Sequence, residues 1–147
     1  MTRFQKYNLP TLLPEVLSYV AGIIDGEGSI VIQRKKKETK NGRIRFRIEI
    51  YNSNKEMLDW IAKKFRDGKV KEKNPLHISR RGYGTKAQMY FWIVNKQEAV
   101  YKILVAILPY LIIKKSKAGK AIAFIEERVT NPRQWDKAGS VVVWPNG

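Results

Sequence analysis

The sequence has no cysteine and a single histidine among 147 residues. The absence of cysteine excludes disulfide bonds, thiolate catalysis and zinc sites built on cysteine. Apolar runs long enough to span a bilayer are also missing, and the first residues have neither the apolar core nor the small-residue cleavage pattern of a signal peptide. We therefore expect an intracellular protein that is not secreted and that has no membrane partner.

Acidic residues are scarce in comparison with basic ones. Asp and Glu number 13 against 29 Lys and Arg, which gives a formal net charge of +16. This charge exceeds what solubility requires and makes a polyanion the first candidate partner. The length predicts one domain over residues 1–147, with residues 1–13 as an N-terminal arm. Residues 131–147 form a C-terminal extension whose apolar side chains are expected to dock on the domain or on a partner subunit.

Residues 14–28 predict a helix with two unlike faces. Pro14 fits the first helical position, Glu15 suits the positive helix start, and the glycines from Gly26 onward end it. At helical spacing, a bulky stripe expected to face the core comprises Val16, Tyr19, Val20, Ile23 and Ile24. A stripe of small residues, expected to let another helix approach closely, comprises Ser18, Ala21, Gly22 and Asp25.

Two carboxylates stand at the exit of this helix, where its dipole is negative. Asp25 and Glu27 are unfavourable there unless a cation joins them. If the small stripe pairs with its own copy, the two Glu27 side chains meet at the bottom of the helix pair, and their repulsion favours a divalent metal shared between subunits. Asp25 is expected to hydrogen-bond backbone at the helix pair rather than to bind metal.

Residues 20–28, VAGIIDGEG, resemble the motif of the LAGLIDADG homing endonucleases, with five of nine positions identical to the family name. The resemblance implies an α+β fold: an αββαββα core whose four-stranded antiparallel sheet forms a saddle on the DNA major groove, followed by a C-terminal helix. Family members with one motif act as homodimers, and no second copy of the motif occurs in this sequence. A homodimer would make the recognised DNA site palindromic or nearly so.

The clearest strand of the sequence lies downstream of this motif. Ile44, Phe46, Ile48 and Ile50 alternate with charged residues, so that three arginines share one strand face. These arginines repel one another unless something anionic lies across them, although polar alternation also suits a face exposed only to solvent. A turn at residues 40–42 is expected to join this strand to the preceding one. The DNA contacts expected from the two strands are Val31, Gln33, Lys35, Arg43, Arg45, Arg47 and Glu49.

A second pair of strands follows a helix that opens with a capping-box pattern at residues 53–56. The facing of the last strand is ambiguous because residues 90–93 are all apolar. We expect DNA contacts here from Lys69, Lys71, Lys73, Lys86 and Gln88, with Tyr90 turned the same way. Two further helices complete the order helix, two strands, helix, two strands, helix, helix.

The resemblance also implies the site residues. Glu27 would hold a divalent cation, Mg²⁺ first and other divalent ions as alternatives, with the Gly26 carbonyl as a second ligand. A polar residue at the end of the second strand, placed at Asn52, would orient water, and a lysine after the Pro-containing turn, placed at Lys114, would stabilise charge. A phosphate contact is the alternative for this lysine. The alternatives for orienting water are Asn54 and Lys55.

The implied activity is metal-dependent hydrolysis of both strands of a long, near-palindromic double-stranded DNA site by a homodimer, as in an intron-encoded homing endonuclease. Two other functions stay open for the same fold: an intron maturase that binds RNA, and a DNA-binding regulator without catalysis. Glu27 and Lys114 favour cleavage, because a pure binder has no use for a metal-attracting carboxylate beside a phosphate. His77, the only histidine, is expected at the surface or in packing rather than as a general base.

Overall fold

The computed structural model describes residues 11–34, 44–73 and 88–130. The predicted arm, the predicted turn at residues 40–42 and the C-terminal extension therefore lie wholly or mostly outside the described residues. The elements are α1 (Pro14–Glu27), β1 (Gly28–Arg34), β2 (Ile44–Asn52), α2 (Lys55–Phe65), β3 (Lys69–Glu72), β4 (Tyr90–Val94), α3 (Gln97–Ile107), a 3-10 turn (Leu108–Tyr110) and α4 (Lys115–Thr130). The predicted α+β class and αββαββα order with a following helix are confirmed.

The four strands form one antiparallel sheet in the order β1-β2-β4-β3. Alternate residues of the strands enter a single apolar core together with helix residues, as at the cross-strand pairs Ile48 with Val94 and Ile50 with Trp92. These four side chains are at most 1% exposed. The helices thus cover one face of the sheet and leave the side chains of the intervening residues on the opposite face.

The α1 helix packs against β1, β2, α3 and the 3-10 turn. Its buried residues are Val20, Ala21 and Ile24. The predicted division into two stripes is therefore wrong in part: Ala21 is fully buried in its own chain, whereas Tyr19 is 53% exposed. The helix is rotated so that the small Ala21 lies against the sheet and α3 layer, because a close helix crossing accepts a small residue more readily than a bulky one.

A tight crossing joins α1 to β1. The Gly28 N–H donates to the carbonyls of Ile23 and Ile24 and closes the helix. A Cβ atom at Gly28 would lie 2.8 Å from Ile24 Cα and 3.2 Å from the Glu49 carbonyl oxygen. Only glycine fits here, and the strand can therefore start directly after Glu27.

The α2 helix begins one residue later than the capping-box pattern suggests. Asn54 is the N-cap, and its Oδ1 accepts the Met57 N–H at 3.0 Å.

A side-chain hydrogen bond connects α4 to the start of β2. Arg128 of α4 donates through Nη1 to the Ile44 carbonyl at 2.7 Å. Within the described ranges, no helix combines the length and apolar character that crossing a bilayer would demand.

Candidate active site and nucleic-acid interface

The acid at the end of α1 is held by an amide at the end of β2. Glu27 is exposed, and its Oε2 accepts a hydrogen bond from Asn52 Nδ2 at 2.6 Å. The other end of that amide, Oδ1, accepts the Asn54 backbone N–H at 2.7 Å. Because a backbone N–H can only donate, it fixes which end of the Asn52 amide faces Glu27.

The two residues considered as alternatives to Asn52 have other partners. The Asn54 side chain caps α2 through the Met57 N–H. The Lys55 ammonium donates to Asp59 Oδ2 at 2.8 Å, one helical turn away. Asn52 is thus the one of the three candidates that contacts Glu27 in the structure.

A second contact at the same end of α1 involves Asp25 and Lys114. The Asp25 carboxylate accepts the backbone N–H groups of Ile112 at 2.7 Å and Lys114 at 2.9 Å. The Lys114 ammonium in turn donates to the Asp25 carbonyl at 2.7 Å, a favourable place for a cation because it is the negative end of the helix. Asp25 does bind backbone groups, but they belong to its own chain and not to a second helix.

These contacts shift the acidity of Asp25. Burial raises the pKa of the Asp25 carboxyl, but the N–H groups of Ile112, Lys114 and Ile113 and the charge of Lys114 outweigh burial and hold the pKa below its ordinary value of 3.8. The carboxylate is therefore ionised at neutral pH and serves as the anchor of the segment that carries Lys114. Glu27, Asn52 and Lys114, predicted from distant parts of the sequence, all lie at the C-terminal end of α1.

Within the described part of the chain, Glu27 is not part of a cluster of potential metal ligands. Among residues 11–34, 44–73 and 88–130, no group of three or more His, Cys, Asp or Glu side chains is arranged to hold a metal ion. Asn52 is neutral, and the last turn of α1, described in full, contains no basic residue. A cation at this position would need further ligands besides the acidic side chains of the described residues.

The uncovered face of the sheet carries the predicted basic residues in cross-strand rows. Gln33 lies opposite Arg45, and Val31 lies opposite Arg47. Arg47 forms an ion pair with Glu49, two residues along the same face of β2. The described residues on this face that were predicted to contact DNA are Val31, Gln33, Arg45, Arg47, Glu49, Lys69, Lys71 and Lys73. Lys35, Arg43, Lys86 and His77 lie outside the described residues.

The predicted facing of β4 is wrong. Gln88 and Tyr90 share the alternation of Trp92, which is fully buried and donates from Nε1 to the Asp67 carbonyl at 3.0 Å. Gln88 itself donates to the Lys73 carbonyl at 2.7 Å and so holds the β3–β4 end together. Phe91 and Ile93 occupy the uncovered face instead. Four consecutive apolar residues give no alternation, so the sequence could not reveal them.

The acid at the C-terminal end of α1 thus lies beside the end of the central strand β2, in a sheet whose uncovered face carries basic residues. The chain belongs to the LAGLIDADG endonuclease family, whose model matches residues 20–127. A curated relative, the DNA endonuclease I-CreI of Chlamydomonas reinhardtii, is 25% identical over 139 residues, which are 95% of this chain and 77% of the relative.

Solved structures of similar fold come from the same kind of protein. The homing endonuclease I-CvuI in complex with its target matches with a TM-score of 0.65 and 20% identity, over 80% of this chain and 69% of that one. The group I intron-encoded homing endonuclease I-CeuI complexed with DNA matches with a TM-score of 0.65 and 16% identity, over 90% of this chain and 69% of that one. At these identities the likeness establishes the fold.

Proposed function

We propose that two copies of this chain bind a long, near-palindromic double-stranded DNA site and hydrolyse a phosphodiester bond in each strand with the help of divalent cations. The observation that carries the proposal is the contact between Glu27 and Asn52, which places an exposed carboxylate at the edge of the basic sheet face. Membership of an endonuclease family and the DNA-bound relatives support DNA as the substrate.

The donor set at the end of α1 suits a hard cation. The Glu27 carboxylate is exposed, and the last carbonyl groups of a helix, among them that of Gly26, have no N–H partner within the helix. Oxygen donors of this kind are the ligands that Mg²⁺ and Ca²⁺ prefer, and I-CvuI has been crystallised on DNA with each of these ions. When bound, such an ion polarises the phosphate and lowers the pKa of a coordinated water.

The chain's own groups supply the remaining functions. Asn52, fixed by the Asn54 N–H, keeps Glu27 in place and presents its amide to a water that approaches the phosphate. Lys114 carries a positive charge beside the Asp25 carbonyl, where it can offset the negative charge that develops on the phosphate oxygens. No side chain has to form a covalent intermediate.

A second copy is supported by the outer face of α1. Gly22 and Gly26 are exposed and four residues apart, and a Cβ atom at either would meet nothing within 4 Å among the described residues. A glycine inside a helix costs about 1 kcal/mol relative to alanine, and nothing described in this chain offsets that cost. Close approach of a second α1 would do so and would bring two Glu27 side chains together. Ser18 continues this outer face, whereas Ala21 does not belong to it.

The test compares Glu27→Gln with the parent chain. We expect Glu27→Gln to lose metal-dependent cleavage by at least about a hundredfold while DNA affinity changes less than about threefold, since the amide keeps the size and loses the charge. Cleaved sites selected from a randomised duplex pool provide the substrate for both assays.

Glu98→Gln is the matched control, because Glu98 is an exposed acid at the start of α3, away from Asn52. Cleavage by Glu27→Gln at the parent rate would overturn the assignment. A parent chain that binds DNA with each divalent cation tested and never cuts would overturn the proposed activity itself.

A further inference from the structure

The uncovered face of the sheet is not basic throughout. At its active-site end, Tyr51 of β2 pairs with Phe91 of β4, their ring centroids lie 5.4 Å apart, and Ile93 follows on the same face. Tyr51 is 39% exposed, and Phe91 and Ile93 are half-buried. We call these three residues the apolar patch.

The apolar patch is not part of the protein core. Its β4 members alternate with Trp92 and Val94, which point the other way and are at most 1% exposed. Nor does it face the outer side of α1, because the helices cover the opposite face of the sheet. Another copy of the chain packed through α1 would leave the patch open.

Cations border the apolar patch along β3. Lys71 lies opposite Phe91, Lys69 lies opposite Ile93, and the Lys73 ammonium stands 5.5 Å from the centre of the Tyr51 ring. On its β2 side the patch borders Glu49, which lies opposite Ile93 and is paired with Arg47. With the lysines of β3 and Arg45 in excess over this one acid, the surface fits a polyanion that presents an apolar group. Double-stranded DNA is such a partner, because its phosphates flank the base edges of the major groove.

The chemistry of the major groove narrows what the apolar patch can recognise. Base edges there offer hydrogen-bond donors and acceptors, and the thymine C5-methyl is their single apolar group. Aliphatic and aromatic carbon placed against a donor or acceptor would desolvate it without replacing its hydrogen bond. We infer that the apolar patch selects thymine, through the thymine methyl group, at the base pairs nearest the cleavage position. This inference rests on the proposed function.

The register of β2 indicates which base pairs of each half-site the apolar patch would contact. Tyr51 directly precedes Asn52, which contacts Glu27, whereas Arg45 lies six residues further from the site. Six strand residues span roughly 20 Å, the length of about six base pairs. Thymine selection therefore belongs to about the first three base pairs of each half-site, and the Arg45 and Gln33 row contacts bases further out.

Uracil tests the inference without altering the protein, because it keeps every hydrogen-bonding group of thymine and lacks the methyl. In a selected cleavable site, each thymine is replaced in turn by uracil, and equilibrium binding and cleavage are measured. We expect about fourfold weaker binding for each replacement near the cut, because each removes one buried methyl group. Replacement of thymines at the outer positions should change binding less than about 1.5-fold.

Two variants sharpen the result. Phe91→Ala should discriminate less than the parent between thymine and uracil sites near the cut, and Phe91→Leu, which keeps an apolar side chain, should retain the preference. Arg45→Ala is the control: it should weaken selection at outer positions and leave the thymine preference intact.

The outcomes separate this inference from the proposed function. Selected sites that are cleaved but have no thymine near the cut, or that tolerate uracil there without loss, would overturn the inference and leave the nuclease assignment standing. Failure to cleave any member of the pool would instead count against the proposed function.

Discussion

At the residue scale, Asn52 connects the end of one strand to the end of one helix. Its two amide ends are used differently: Nδ2 donates to Glu27, and Oδ1 accepts from the backbone of Asn54. Glu27 consequently has a neutral partner, Asn52, which holds the carboxylate in position and does not compensate the carboxylate charge. An arginine or lysine in place of Asn52 would offset the negative charge that a cation requires.

Asn52→Asp probes this arrangement with an almost unchanged shape. The substitution places a second carboxylate 2.6 Å from Glu27 and removes the donor. Because two carboxylates that close repel each other, ionising the site costs more than in the parent chain, and the pH–rate profile should move upward. We expect cleavage at pH 7 to fall at least about tenfold, measured over pH 5 to 9 at fixed Mg²⁺.

Asn54→Asp serves as the matched control for that change. The substituted aspartate would still cap α2, since aspartate and asparagine are equally good N-caps, and the backbone N–H that fixes residue 52 is unaffected. The pH–rate profile of Asn54→Asp should follow that of the parent chain. An unmoved profile in Asn52→Asp would show that residue 52 does not act on Glu27.

Asp25 gives a prediction about stability and pH. Its pKa is lower in the folded chain than the ordinary 3.8, so the stabilisation it supplies is complete above that value and is lost as the pH falls through the lowered pKa. Asp25→Asn, which loses the charge and one acceptor, should be less stable than the parent at pH 7, with the difference shrinking below about pH 4. Urea unfolding at pH 7, 5 and 3 measures this; a difference independent of pH would contradict it.

Single residues were predictable from sequence where a motif fixed their place. The motif gave Glu27, and the family resemblance gave Asn52 at the end of β2 and Lys114 after the Pro109 turn; their catalytic roles stay predictions, while the structure places all three at the C-terminal end of α1. Ala21 was assigned to the wrong side of α1, because the rotation of the helix depends on what packs against it. The partnership of Asp25 with Ile112 joins residues 87 positions apart and leaves no local sequence signal.

At the scale of elements, the crossing between α1 and β1 determines where Glu27 stands. Gly28→Ala would push a methyl group to within 2.8 Å of the Ile24 backbone. Because backbone cannot move aside as a flexible side chain can, we expect a loss of about 1 to 3 kcal/mol in the free energy of unfolding, measured by chemical denaturation.

Gly119→Ala, within α4, is the control for stability. A Cβ there meets nothing within 4 Å among the described residues, so its stability should match or slightly exceed that of the parent. Equal stabilities for Gly28→Ala and the parent would mean that the crossing is looser than the structure shows.

The order of the elements could be predicted because each one carries its own local signal, such as Pro14 at a helix start and the strict alternation of β2. The facing of β4 could not. Its residues are all apolar, and the choice is made by Trp92, which packs beside Gly68 and donates to the Asp67 carbonyl. The facing of β4 is therefore decided by tertiary packing, which places the apolar patch on the face that carries the arginines.

At the scale of the whole molecule, the open glycines of α1 predict self-association. Gly22→Leu should fill the space that a second helix needs and abolish dimer formation, with a shift to the monomer in sedimentation velocity at micromolar protein. Gly119→Leu is the control, because Gly119 also lies within a helix with nothing within 4 Å of its Cβ position among the described residues. Identical sedimentation of Gly22→Leu and the parent would contradict pairing through α1.

At this scale the sequence offers a net charge of +16, which indicated a polyanionic partner, and a single copy of the motif, from which the homodimer stays a prediction. The net charge indicated a polyanion as the partner class, but it did not indicate which positions on the uncovered face of the sheet are cationic and which are apolar. That division depends on which residues of β2 and β4 meet across the sheet, and such pairing is decided by the fold as a whole.

The hydrogen bonds that the backbone N–H groups of Ile112 and Lys114 donate to Asp25 span 87 and 89 positions of the chain. On the ribosome, the acidic half of the proposed centre emerges long before the lysine that completes it. A half-made or truncated polypeptide would therefore display Glu27 without its cationic counterpart, and the proposed cleavage activity would be acquired only after residue 114 has been synthesised.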